Sequence, residues 1–161
     1  MNPQPTVAPN PYDSRPDTLA HIEVVRQFLA IVVDDFRQRA EVHDASKLVE
    51  PELSTFDVMT PKLKTSTYGS PEYKAFLVQM QPALAHHYAH NSHHPEHFKD
   101  GIRGMTLMDV LEMLCDWFAA TKRHHDGDIR VSIEKNQARF GYSDELKQIL
   151  LNTVAKLEKK Q

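Results

Sequence analysis

Apolar residues recur every three or four positions through most of this chain and do not alternate over any length, so the pattern is helical. Leu19, Ile22, Val25, Phe28, Leu29, Val32, Val33 and Phe36 make the first stripe. Asp17 or Thr18 caps the helix that carries it, which runs to about Arg39 with the stripe turned to the core. A turn leads to His43–Leu48, and Pro51 interrupts. A short helix is expected over 52–59, then a long loop holding Pro61 and Gly69. Ser70-Pro71-Glu72 reads as a cap with proline at the first helical position. The helix it opens should reach about Asn91 with a bend at Pro82. His94-Pro95 ends regular structure, and 101–104 reads as a loop.

Thr106 caps a further helix to about Arg123, with Leu107, Val110, Leu111, Leu114 and Phe118 facing inward. Two more helices are expected, near 128–139 and 143–159. The expected fold is all-α: a compact single-domain bundle of about five to seven helices. Residues 1–16 carry five of the ten prolines and no apolar period, which predicts an extended arm before a domain over 17–161.

Composition narrows the functional classes. The net charge of −3 argues against a nonspecific nucleic-acid clamp but leaves room for a nucleotide substrate. One cysteine, Cys115, precludes an intrachain disulfide framework and fits a reducing, cytoplasmic setting. The polar, proline-rich start does not resemble a signal peptide, and no apolar run is long enough to span a bilayer. Six of the ten histidines lie in the twelve residues from His86 to His97, so the histidine excess is local.

That local excess joins an ordered set: His21, then His43-Asp44, then the histidine cluster, then Asp116 within Leu114-Cys115-Asp116. Imidazole and carboxylate together suit a divalent transition metal (zinc, manganese, iron or cobalt) better than calcium. His43 and Asp44 are adjacent and could flank one ion, with His21 and Asp116 closing the set from other helices. Taken singly, each has a plainer reading: a half-buried helix histidine, a capping aspartate, a surface histidine tract, ordinary helix-end cations at Lys122 and Arg123. Asp109 and Asp116 share a helix face but stand about 10.5 Å apart along the axis, too far to hold one ion. Glu112 lies between them, as a partner for a ligating histidine or as a base that orients water.

The order His21, His43-Asp44 with Lys47 behind it, and Asp116 resembles the HD-domain superfamily of metal-dependent phosphohydrolases over about 17–124. The string from His86 to His97, with Glu112–Trp117, Asp126–Ile129, Ser132-Ile133, Asn136 and Arg139-Phe140, is similar to an uncharacterised HD-like family common in phage and bacterial genomes. The resemblance implies His21, His43, Asp44 and Asp116 as metal ligands and Lys47 as a cation near the site. Some HD proteins hold a second ion through intervening histidines; here His87 or His90 together with His94 would serve as ligands or phosphate contacts. His86, His90 and His94 share a face only if the helix continues, and Pro95 favours His93 and His94 turning back from a loop.

The function this implies is metal-dependent hydrolysis of a nucleotide or related small phosphate ester by a metal-activated water. Lys47, Arg123 or a cluster histidine such as His90 would balance charge, with oligomerisation left open. Two alternatives stand beside it: an HD-type diiron oxygenase, and a non-enzymatic helical binding protein stapled by metal.

Overall fold

A computed structural model describes residues 12–67, 70–123 and 127–160. The described residues form seven α-helices and three short 3-10 turns, with no strand among them. The helices are α1 (Arg15–Val42), α2 (Leu53–Thr65), α3 (Pro71–Gln79), α4 (Gln81–His90), α5 (Leu107–Thr121), α6 (Ile129–Phe140) and α7 (Asp144–Glu158).

Helix starts follow local chemistry. The Ser70 hydroxyl accepts from Tyr73 N, and the Ser143 hydroxyl accepts from Leu146 N. Thr106 and Asp109 form a reciprocal capping box at α5. Gly141 ends α6 at φ +66°, a left-handed conformation that costs glycine nothing.

The main core lies where α5, α6 and α7 meet. Val110, Met113, Leu114 and Phe118 of α5 pack with Ile129 and Ile133 of α6, Leu150 and Val154 of α7, and Tyr142 between them. Trp117 stacks on Phe140 beside this cluster, with ring centroids 6.2 Å apart. Met59, Met80 and Ala83 are buried in the smaller half formed by α2, α3 and α4. The C-terminal end of α1 lies against α5, and the turn after it touches both α2 and α4.

Several boundaries differ from the sequence reading. α1 starts at Arg15, so Arg15 and Pro16 are helical rather than part of an extended arm; residues 1–11 lie outside the described set. α2 passes through Pro61 to Thr65, because buried Met59 and half-buried Leu63 extend one apolar face past the proline. The expected loop is shortened accordingly, and Gly69 lies outside the described residues. The bend at Pro82 is a full break at Met80, with Pro82 in the first turn of α4. The segment 101–104 is a 3-10 turn. Leu107 is 80% exposed, since it occupies the first position of α5, ahead of the packed stretch that begins at Asp109.

The largest difference concerns α1. None of its 28 residues is buried. Val32, Asp35, Phe36 and Arg39 are half-covered by the body of the protein, whereas every residue from Arg15 to Ile31 is exposed. The stripe that predicted a core-facing helix meets the core only in its last two turns.

One polar junction ties α1 to α5. Arg39 Nη1 donates to Asp109 Oδ1 and to Glu112 Oε2, each at 2.9 Å, while Arg39 Nε donates to Asp35 Oδ2. Burial alone would raise the Asp109 carboxyl; Thr106, Ser92 and Arg39 outweigh it and hold the group at about 2. Asp109→Ala, which removes one of the three carboxylates on Arg39 and the α5 capping box, should cost about 2–4 kcal/mol in urea unfolding. The Asp109 contribution is present above its unfolded value of 3.8 and is lost as pH falls through about 2. Leu114→Ala, which empties a fully buried position, should cost about 2–5 kcal/mol in the same assay.

Candidate metal centre

The junction of α1, α4 and α5 gathers the histidines. α1 ends at Val42, His43 leaves the helix, and Asp44 takes a left-handed conformation at φ +57° before the turn Ala45–Leu48. Positive φ in a residue other than glycine is uncommon and is tolerated best by Asp and Asn. The reversal keeps both side chains at the junction. α4 supplies His87, and the segment after its end at His90 folds back to supply His93 and His94. α5 supplies Glu112 and Asp116, four residues apart on one face.

Asp44 sits between two donor sets. Its Oδ1 lies 3.3 Å from His87 Nε2 and 3.5 Å from His93 Nε2. His94 Nε2 is 2.9 Å from His87 Nε2. On the other side, Asp44 Oδ2 is 3.8 Å from His43 Nε2, which is itself 3.8 Å from Asp116 Oδ1. Asp44, His87, His93 and His94 thus make one group able to hold a metal ion, and His43, Asp44 and Asp116 make a second.

A ring of carboxylates stands behind the imidazoles. Glu112 Oε1 is 2.8 Å from His43 Nδ1 and 3.2 Å from His93 Nδ1. Glu52 is fully buried; its Oε2 is 2.9 Å from His87 Nδ1 and its Oε1 is 2.7 Å from His86 Nδ1. Ser46 donates to the same Glu52 Oε2. A carboxylate on Nδ1 fixes the ring and leaves Nε2 to bind a metal. His43, His93 and Glu112 form a third group that could hold an ion. Its Nδ1 atoms are already paired with Glu112, so the Nε2 side is the better metal face.

The Nε2 side also carries the unmet demand. Asp44 Oδ1 and His93 Nε2 are buried without a hydrogen-bond partner among the described residues. Such atoms are rare in folded proteins and costly unless something satisfies them. A divalent cation between them fits both, and the donor set is the imidazole–carboxylate mixture that transition metals take.

Charge is arranged to match. Burial alone would raise the Asp44 carboxyl, but His87, Lys47 and His43 hold it well below the ordinary carboxylate range. Lys47 Nζ lies 2.5 Å from Asp44 Oδ2. Burial opposes ionisation of Asp116 too, and the contact with His43 still lowers it. Burial pushes His94 down to about 3, with His93 and His87 adding to the effect, so its ring is neutral and free to ligate. The Asp116 carboxylate raises His43 to about 9, helped by Glu112 and opposed by burial.

An open cleft of about 370 Å³ adjoins the cluster. Gln38, Arg39, His43, Ser46, Asn91 and Glu112 are among its lining residues.

The structure thus brings together His43, Asp44, Lys47, His87, His94, Glu112 and Asp116 of the residues singled out in the sequence. It does not bring His21. That residue is exposed on the same unbroken helix that ends beside His43, about 30 Å away along the axis at 1.5 Å per residue. His90 is exposed, stacked on His86 with its Nδ1 2.8 Å from the His86 carbonyl oxygen, and joins no donor group. Arg123 is exposed past the end of α5, about 10 Å beyond Asp116 along the axis, and has no hydrogen bond or ion pair with the cluster. Lys122 lies over the Phe118 ring, and His124 is outside the described residues.

His93, Glu52 and Arg39 belong to the centre without having been assigned a role from sequence. The expectation that His93 and His94 turn back from a loop holds for both. Glu52 follows a proline soon after the His-Asp turn, a position with no ligand-like spacing of its own.

The chain matches the model of a family of unknown function (DUF5662) over residues 10–159, and it belongs to that family. No curated protein matches the chain, and no solved structure does. No helix among the described residues is long and apolar enough to cross a membrane.

The His43 proton must leave before its ring can bind a metal. Apparent affinity should therefore rise with pH up to about 9, with proton release on binding, measurable by calorimetry in buffers of different ionisation enthalpy. Glu112→Gln should weaken metal binding by about 10–100-fold in the same experiment, since it loosens two imidazoles at once.

Proposed function

We propose that the chain is a metal-dependent phosphohydrolase of HD type, acting on a nucleotide or a related small phosphate ester. The observation that carries this reading is the position of Asp44, whose two oxygens face two separate imidazole–carboxylate sets. His87, His93 and His94 would hold one ion beside Asp44 Oδ1, and His43 and Asp116 a second beside Oδ2. Zinc, manganese, iron and cobalt all suit these donors.

A divalent cation here would supply Lewis acidity that polarises a phosphoryl oxygen and acidifies water. The protein supplies the rest. Glu112 and Glu52 orient the rings through Nδ1, and Glu112 is fully engaged in doing so, with one oxygen on His43 and His93 and the other on Arg39. That engagement favours the orienting role for Glu112 over that of a base. Lys47 keeps an ammonium beside Asp44, where it would offset charge on a phosphate ester. Gln38, Asn91 and Ser92 line the adjoining cleft, where the non-reacting part of a small substrate would sit.

The test is hydrolysis by protein reconstituted separately with each of the four metals, against a broad panel of nucleotides and phosphoesters. Turnover should require metal and fall to background in Asp116→Asn and His94→Ala, both of which should remain folded by circular dichroism. Metal-loaded protein that cleaves no member of the panel overturns the assignment.

A further inference from the structure

The projecting part of α1 is the largest feature that the metal centre does not explain. From Arg15 to Ile31 the helix stands clear of the body, 17 residues or about 25 Å of it. Leu19, Ile22, Val25, Phe28 and Leu29 on this arm are 39–66% exposed. Isolated helices of this length are marginal in water, and a continuous apolar face on one marks a contact surface.

We propose that this arm pairs with the same arm of a second copy of the chain, antiparallel, to make a two-fold dimer. Three observations select that occupant. First, the face is self-complementary in charge. Arg15, Asp17, Glu23 and Arg26 sum to zero, and Glu23 and Arg26 lie one turn apart on one flank. An antiparallel crossing centred between Val24 and Val25 sets each Glu23 across from Arg26 of the other copy, as an isologous interface requires. Second, the eleven residues ahead of the described chain carry only Met1 and Val7 as large apolar side chains, too few to cover five. Third, a strip of this length along both arms buries on the order of 1,000 Å² in total, near the lower edge for a specific interface. Ile22, Val25 and Leu29, spaced three and four apart, form the seam.

The arm lies well away from the metal donors, so the pairing can be tested separately from them. Sedimentation velocity and light scattering of the full chain should show a dimer at roughly 100 μM. Leu29→Glu places a charge in the seam at an exposed position. It should raise the dimer dissociation constant by about 30-fold or more with metal content unchanged. Glu23→Arg should weaken the dimer, and Glu23→Arg with Arg26→Glu should restore it, a rescue that no loss of folding could mimic. A monomeric wild-type chain at that concentration overturns the proposal, as does a dimer indifferent to Leu29→Glu.

Discussion

Arg39 is where the helical frame and the polar centre depend on one another. Its guanidinium sits at the base of α1 and holds Asp35 on its own helix and Asp109 and Glu112 on α5. Contact with one face of Glu112 leaves the other to His43 and His93. The ion pair therefore fixes a helix–helix contact and two ring orientations together. Buried ion pairs gain little net stability, because desolvation offsets most of the Coulomb attraction. The pairing instead sets geometry: three carboxylates keep the guanidinium in place, and it in turn keeps Glu112 on the Nδ1 side of His43 and His93.

The same economy recurs where the start of α2 meets α4. Glu52 is fully buried, yet both its oxygens are occupied by His86, His87 and Ser46. Burial opposes its ionisation, and these partners more than compensate, leaving its carboxyl below the ordinary range. Buried polar groups are normally satisfied; the two that lack a partner among the described residues, Asp44 Oδ1 and His93 Nε2, face each other in a group that could hold a metal ion.

Much of this was legible in the sequence. The three- and four-residue spacing gave the helices, and the capping residues Ser70, Thr106 and Ser143 gave three of their starts. The meeting of His43, Asp44 and Asp116 was legible because each residue type could serve as a ligand and they came in order along the chain. His21 was misplaced by the same logic. Order was taken to mean convergence, but nothing between Asp17 and Val42 breaks a helix, so His21 is carried away along one rod. The α1 stripe was misread because periodicity shows that a helix has an apolar face and not which molecule covers it. Glu52 and Arg39 stayed hidden because a carboxylate or guanidinium acting behind a ligand has no spacing signature; its role exists only once distant segments meet. Pro61 suggested a helix end, and the apolar contacts of Met59 and Leu63 outweighed the lost backbone donor.

The left-handed backbone at Asp44 makes that position answer to two demands at once. The chain must reverse there for α1 to deliver His43 beside α4, and few side chains accept that conformation without penalty. The carboxylate must also stand between the two imidazole sets. Glycine meets the first demand and fails the second, while glutamate offers the charge but resists the turn. Aspartate meets both demands at once, and asparagine alone among its near substitutes would accept the turn while leaving an oxygen, though no charge, between the two ring sets.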